Sequence, residues 1–332
     1  MTRISFLSAA HIHAKGWIED TVKAGDGRAV HAVWDDNAER GRSHAKIGNA
    51  AFVADLDAAV ADTKADGFVI CAENTRHLPI LRKALATGKP VLCEKPLGTT
   101  AAEAREIQAL VDRHGSRLVN GYVYPFEATY QAVSRLVEAR AFGTVTHVRF
   151  VNAHGGAWWR WFDDATLAWF HDTALSGGGG MLDEGTHGVH LLRMLFGPVT
   201  RVWATARNLS GQYPSADDFG VMHLQFRSGV FGTVEGSWVQ TAGRKGLEIT
   251  GSEGALYKAD SGYVAQKRGQ QAVPVIPSNG RPHYVDRLVA TIRGEIGEDE
   301  HRRDLVAALD AVTIMDAAVR SAASGAWVEV GR

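Results

Sequence analysis

The chain is short of cysteine, of long apolar runs, of charge imbalance and of the usual glycine-rich phosphate loop, and each shortage narrows the field. Cys71 and Cys93 are the only two cysteines among 332 residues, too few for a disulfide framework. Each lies in an apolar run of the kind that forms a buried strand, which suits a reducing compartment. No apolar stretch approaches the roughly 18 residues that a membrane-spanning helix needs. The chain opens directly on the strand-like segment Arg3 to Leu7, without a charged leader, so the expected location is the cytoplasm. Thirty-six basic residues face thirty-seven acidic ones, a formal net charge of -1. That balance provides no global field for nucleic acid or an acidic membrane, and a small molecule is the expected partner. Internal repeats and low-complexity segments are also lacking.

What is present is enough apolar material, 45% of the residues, for two cores. In the first 120 residues short apolar runs alternate with helical patterns: Arg3 to Leu7, Ala29 to Trp34, Gly67 to Cys71, Pro90 to Cys93 and Arg117 to Asn120. That rhythm predicts an α/β fold with a doubly wound parallel sheet. From Phe126 the period changes. A helix to about Arg140 is followed by alternating strands at Val145 to Val151, Val199 to Ala206, Val221 to Phe226 and Val230 to Val239. These predict an antiparallel or mixed sheet with helices on one face, two of them at about Met181 to Phe196 and Arg303 to Ala322. The expected domains are residues 1–122, for nucleotide binding, and 123–332, for substrate binding and oligomerisation.

A dinucleotide site needs a tight strand-to-helix turn that a pyrophosphate can approach, and a carboxylate after the second strand for the ribose hydroxyls. Asp35 follows Ala29 to Trp34 at the expected distance, and its charge would repel a 2′-phosphate, favouring NAD over NADP. The turn reads Ser8-Ala-Ala-His-Ile-His13, so Ser8, Ala10 and His13 stand at the three glycine positions. Small residues at the first two still permit close approach, at a cost wherever φ must be positive. Ser8, Ala10, His11 and Ile12 are candidate cofactor contacts; the loop is otherwise a plain connection, with His11 and His13 in solvent.

Lys95 stands at the carboxyl end of the strand Val91 to Cys93, the edge where open parallel sheets bind ligands. The segment Gly177 to His190 opens a helix with the only glycine run and places Asp183 and His187 four residues apart, on one helical face. An oxidoreductase acting on an alcohol needs a base for the hydroxyl proton. His187 fits, Asp183 could orient it, and Lys95 could polarise the oxygen. Two other readings stay open: a structural acid–histidine pair, or a metal held by Asp183, His187 and His190, which no HExxH or cysteine signature supports. Between the two halves, Trp158, Trp159, Arg160, Trp161, Trp169 and His171 crowd together, either as a platform for a sugar ring or as a subunit contact.

These residues resemble the Gfo/Idh/MocA oxidoreductases, named after glucose-fructose oxidoreductase and inositol dehydrogenase, along essentially the whole chain. The resemblance is carried by Glu94-Lys95-Pro96, by Glu73-Asn74 and His77, by Asn120-Gly121-Tyr122, and by Gly178 through His187. It implies a Rossmann domain and a C-terminal α/β domain whose open, mostly antiparallel sheet builds a homodimer or homotetramer. It implies the catalytic set Lys95, Asp183 and His187, with His187 as acid/base. It places Glu73, Asn74, His77 and Glu94 with the cofactor, Asn120 and Tyr122 with the substrate, and Asp35 on the adenosine ribose. The implied reaction moves a hydride between NAD and a secondary alcohol or ketone of a sugar, inositol or glycoside. A sugar-sensing regulator without turnover is the alternative, and the loop from Ser8 to His13 is the departure from the family pattern.

Overall fold

The computed structural model describes residues 1–331. Six strands form the first sheet: β1 (Thr2–Ala9), β2 (Arg28–Trp34), β3 (Ala51–Val53), β4 (Gly67–Cys71), β5 (Val91–Cys93) and β6 (Leu118–Asn120). All their pairings are parallel, in the order β3-β2-β1-β4-β5-β6. Five helices cover both faces: α1 (His13–Lys23), α2 (Ala38–Ile47), α3 (Leu56–Ala61), α4 (His77–Leu85) and α5 (Ala101–His114). With both faces covered, every residue of β4 is buried, which is why it reads as a continuous apolar run. Cys71 and Cys93 end β4 and β5 as buried free thiols. Strand order reverses between β1 and β4, and a crevice opens there at the carboxyl ends of the strands.

The second half holds α6 (Ala128–Glu138), β7 (Val145–Ala153), α7 (Thr173–Ser176), α8 (Gly180–Phe196), β8 (Val199–Arg207), β9 (Phe219–Phe226), β10 (Phe231–Ser237), β11 (Gly246–Gly251), β12 (Gly254–Ala259), β13 (Gly262–Lys267), β14 (Val273–Pro274), α9 (Tyr284–Ile292), α10 (Glu298–Ser324) and β15 (Val328–Glu329). Its nine-stranded sheet runs β14-β13-β12-β11-β7-β10-β9-β8-β15. Only the central β7–β10 pairing is parallel; the others are antiparallel. β9 alternates half-buried and buried residues along its whole length, so one face is packed and the other faces out. α8 and α10 cover the packed face. On the open face Trp203, His223, Phe231 and Trp327 stack in a row.

Three features depart from the sequence reading. Strands β11 to β14 and the short β15 were not foreseen, and α10 begins at Glu298 rather than near Arg303. Its first turn holds Glu298, Asp299 and Glu300, which lack an apolar period but suit the positive end of a helix dipole. Third, α9 returns to the first half: Val285, Leu288 and Val289 share a core with Ile4, Phe6 and Leu92. No local pattern announces such a return, because it is decided by which apolar surface is left uncovered.

Helix α8 lies directly on β10. A Cβ built on Gly236 would stand 2.5 Å from the Gly185 nitrogen and 2.9 Å from the Gly180 oxygen, and one on Gly188 would meet Phe150 at 2.6 Å. Backbone cannot move aside as a side chain can, so these glycines set the depth at which α8 sits. Gly236→Ala is therefore expected to destabilise the protein by about 3 kcal/mol, read as a lowered urea midpoint, whereas Gly297→Ala, with open space around the site, leaves it near wild type.

Candidate active site

Lys95 leaves the end of β5 and buries its ammonium against the start of α8. Its Nζ donates to Asp183 Oδ1 at 2.8 Å and to the Asp183 carbonyl at 3.2 Å. The other Asp183 oxygen accepts the indole N–H of Trp238, just beyond β10, at 2.9 Å. The start of α8 has no side-chain cap of its own; Asp217 supplies one from a distant loop, accepting from Gly179 N at 3.1 Å and Met181 N at 2.7 Å. A Cβ on Gly179 or Gly180 would run into the Asp217–Asp218 backbone, so the glycine run serves close packing. Burial disfavours the Lys95 charge, but Asp183, Glu184 and Glu94 outweigh it and hold the ammonium above its usual range. Burial likewise opposes the Asp183 charge, and Lys95 overcomes it, keeping the carboxyl well below the usual range.

His187 follows one turn later on α8. Its Nδ1 is buried without a hydrogen-bond partner, and its ring lies 5.4 Å from Tyr124 and 6.0 Å from Tyr122 between centroids. Burial first, and the Lys95 cation second, push its pKa well below the ordinary 6.5. The imidazole is neutral. One expectation is corrected here: Asp183 does not hold His187, because both of its oxygens are spent on Lys95 and Trp238. The metal set weighed from the sequence does not assemble either. His190 stacks on Tyr122 at 4.0 Å with neither nitrogen partnered. The groups whose ligand atoms do converge, among the described residues, are His11, His13 and Glu94, and His154, Asp183 and Glu184.

The turn after β1 keeps the required backbone without its glycine. Ser8 adopts φ 72°, the left-handed region that glycine enters freely and serine only at a cost. Asp35 is buried beneath it, accepting from Ala9 N at 2.7 Å, Ser8 Oγ at 3.3 Å, Asn37 N at 2.8 Å and Arg40 Nε at 2.9 Å. The carboxylate expected on the ribose is thus turned inward to hold the loop, and the more exposed Asp36 pairs with Arg76 at 2.6 Å. Ala10 is buried, its carbonyl accepting the Trp169 indole N–H at 3.1 Å, while Ile12 is exposed at the start of α1. At the start of α1, His13 N reaches His11 Nδ1 at 3.3 Å and Ala14 N the His11 carbonyl at 3.0 Å. A strand-to-helix turn of small residues at the carboxyl edge of a parallel sheet fits the pyrophosphate of a dinucleotide. His11 and His13 are not in solvent contact alone: His13 Nδ1 meets Glu94 Oε1 at 2.6 Å, and His11 is buried.

Several other expected contacts are committed elsewhere. His77, expected at the cofactor, is fully buried with its nitrogens on the Pro96 and Ala72 carbonyls at 2.8 and 3.1 Å; it shapes the loop after Lys95. Asn74 donates to the Ser176 carbonyl at 2.8 Å and Glu73 pairs with Arg76 at 3.2 Å. Asn120 is buried between Tyr122 N at 3.1 Å and the Asp304 carbonyl at 3.4 Å. The Tyr122 hydroxyl bonds Thr186 at 2.6 Å. These residues build the floor under the site. Of the tryptophan segment, the Trp161 ring lies tilted against His154 at 4.7 Å between centroids, and His154 pairs with Glu184 at 3.3 Å. Trp158 donates to the Val239 carbonyl at 2.9 Å, while Arg160 and His171 both turn to Tyr213.

The sequence reading missed Tyr124, Asn152, His154, Glu184 and Trp238. The Tyr124 hydroxyl donates to Asn152 Oδ1 at 2.8 Å, and Asn152 donates to the Glu184 carbonyl at 3.3 Å. Beside Tyr124 and Asn152 lies a cavity of about 570 Å3, whereas a larger one of about 780 Å3, between α6, α8 and α10, holds none of the groups described. Asn152 and His154 close β7, whose partner strands are distant in sequence, so only Trp238, at the end of a strand run, carried a usable signal.

Removing one member of the buried pair should be costly. Asp183→Asn leaves the Lys95 ammonium buried without its partner, and is expected to lower unfolding free energy by about 3–5 kcal/mol in urea titrations. The double change Lys95→Met with Asp183→Leu should recover most of that loss.

Comparison with known proteins agrees with this geometry. The family description "Oxidoreductase family, NAD-binding Rossmann fold" matches residues 8–122, and "GFO/IDH/MocA C-terminal domain" matches residues 130–257. The 1,5-anhydro-D-fructose reductase of Ensifer adhaerens is 25% identical over 289 residues, 84% of either chain. Inositol 2-dehydrogenase 2 of Paenarthrobacter aurescens is 25% identical over 262 residues, 71% of this chain and 75% of the relative. The crystal structure of GenD2 from gentamicin A biosynthesis, in complex with NAD, superposes with a TM-score of 0.80 at 26% identity, covering 100% of this chain and 97% of that one. The chain is an oxidoreductase with an NAD-binding Rossmann domain and belongs to the Gfo/Idh/MocA family.

Proposed function

We propose that the protein transfers a hydride between NAD and a secondary alcohol or ketone carbon of a sugar, inositol or glycoside, with His187 as acid/base beside the Lys95–Asp183 pair. The observation that carries this reading is the neutral His187 imidazole, whose buried Nδ1 has no protein partner, next to a lysine held permanently charged. NAD, when bound, takes up or returns the hydride. His187 takes the hydroxyl proton. Lys95 steadies the developing negative charge on the oxygen, and Asp183 fixes where the ammonium points. Tyr124 and Asn152 line the cavity that would receive the substrate. The names of relatives acting on anhydrofructose and inositol support a polyhydroxylated ring as substrate.

Preference for NAD over NADP follows from the end of β2. Asp35 and Asp36 bring two carboxylates there, and the nearby Arg40 and Arg76 are already paired with Asp35, Asp36 and Glu73. A 2′-phosphate would meet negative charge and no free cation. Residues 1–122 would bind the nucleotide and 123–332 the substrate. The aromatic row on the open face of the second sheet, with Phe231 and Trp327 each 40% exposed, is the surface through which copies would associate.

Titration of nucleotide-stripped protein with NADH and NADPH, followed by energy transfer from tryptophan, tests the reading first. Saturable NADH binding with much weaker NADPH binding is expected; absence of both would favour a sugar-sensing regulator. His187→Ala is expected to lower kcat/KM by about 10²–10⁴ with NADH affinity unchanged. The sign of the pH dependence is also fixed. With the His187 pKa well below 6.5, oxidation should run level from about pH 8 through neutrality and fall only in more acid solution. An acid limb that persists unchanged in the residual activity of His187→Ala would exclude His187 as the base.

A further inference from the structure

The histidines of the turn after β1 have no part in the chemistry proposed above, and their arrangement is not that of an ordinary hydrogen-bonded pair. Glu94 Oε2 accepts the Lys95 main-chain N–H at 2.6 Å, which leaves Oε1 turned toward two imidazoles. His13 Nδ1 stands 2.6 Å and His11 Nδ1 3.6 Å from that oxygen. His11 Nδ1 also accepts a long bond from His13 N at 3.3 Å. His11 Nδ1 and Glu94 Oε1 thus face each other inside the protein at 3.6 Å, beyond hydrogen-bond distance. A proton on His13 answers only one side of that contact.

We propose that His11, His13 and Glu94 bind one divalent transition-metal ion of the zinc class. Their ligand atoms lie within 4.8 Å of one another, close enough for an ion with bonds of about 2.0–2.2 Å to gather them by small side-chain rotations. Two imidazoles and one carboxylate suit zinc, cobalt or ferrous iron rather than magnesium or calcium, which prefer oxygen. The surroundings already hold the ligands in place. The His11 ring is packed by Phe170 at 5.5 Å and Trp169 at 5.9 Å, and Lys95 N orients the carboxylate from behind, as outer groups do at metal sites. His13, 40% exposed at its side chain, gives the ion an entry path and leaves coordination positions open to water.

The second convergent group, His154, Asp183 and Glu184, does not compete for this role, because Asp183 is bound to Lys95 and Trp238. An ion on His11, His13 and Glu94 would tie the turn after β1 to the end of β5. It would thus clamp the loop that lacks its glycines to the strand that carries Lys95. This proposal does not depend on the hydride-transfer reading.

The test uses the full chain, stripped of metal by chelator and titrated with Co2+, whose visible d–d bands report nitrogen and oxygen ligands at low coordination number. One equivalent should bind with those bands and be displaced by Zn2+. His13→Ala, at a half-exposed helix start, and His11→Gln, a polar replacement of similar length, should each weaken Co2+ binding more than about tenfold, while His154→Ala, in the second convergent group, leaves it unchanged. Far-ultraviolet circular dichroism checks that each variant is folded. No visible bands with the wild-type chain would overturn the proposal. So would bands that survive both histidine substitutions, or that disappear with His154→Ala.

Discussion

The buried ion pair between Lys95 and Asp183 is the contact on which the rest of the site depends. It joins the end of a strand in the parallel sheet to the first turn of a helix on the mixed sheet, so it is at once a chemical group and a joint between the two halves. Burying two charges costs several kcal/mol for each ion. Here the cost is offset by partners on both sides: Lys95 also reaches the Asp183 carbonyl, and Asp183 also accepts from Trp238. A lysine held this way keeps its charge, and that charge suppresses protonation of the neighbouring histidine. The pair thus adds to burial, which is the larger cause, in keeping His187 neutral.

The positions of these groups are set by close backbone contact. Glycines at 179, 180, 185, 188 and 236 let α8 press onto β10 and onto the loop at Asp217. That depth of packing brings Asp183 to Lys95 and places His187 one turn further along the same face. The turn after β1 solves a different problem by different means. Without glycine, Ser8 takes the positive φ itself, and Asp35 beneath it bonds the Ala9 amide and the Ser8 hydroxyl. The acid usually pictured as facing a ribose is here part of what makes a serine tolerable at that position.

Much of this was legible along the chain because it is local. Alternating apolar runs gave the strand and helix order, and a period of four put Asp183 and His187 on one face of one helix. The Glu94-Lys95-Pro96 stretch at a strand end marked the reacting edge, and the family followed from these motifs together. Periodicity reports which face of an element is buried, and motif spacing reports what is near in sequence; both survive without knowing the rest of the fold.

What only the tertiary structure decided is which partner each polar group finds. Asp183 turned to Lys95 and Trp238 instead of His187, His77 to two carbonyls, Asn120 to Tyr122 and Asp304, and His13 to Glu94 across the end of a strand. α9 left its own half to close the first core. Tyr124, Asn152 and His154 entered the site from elements with no motif to flag them. The physical reason is the same throughout: a buried polar atom must be satisfied by whatever donor or acceptor packing brings within about 3 Å. That neighbour lies up to 184 residues away in the chain, as with Asn120 and Asp304, so its identity belongs to the packed structure.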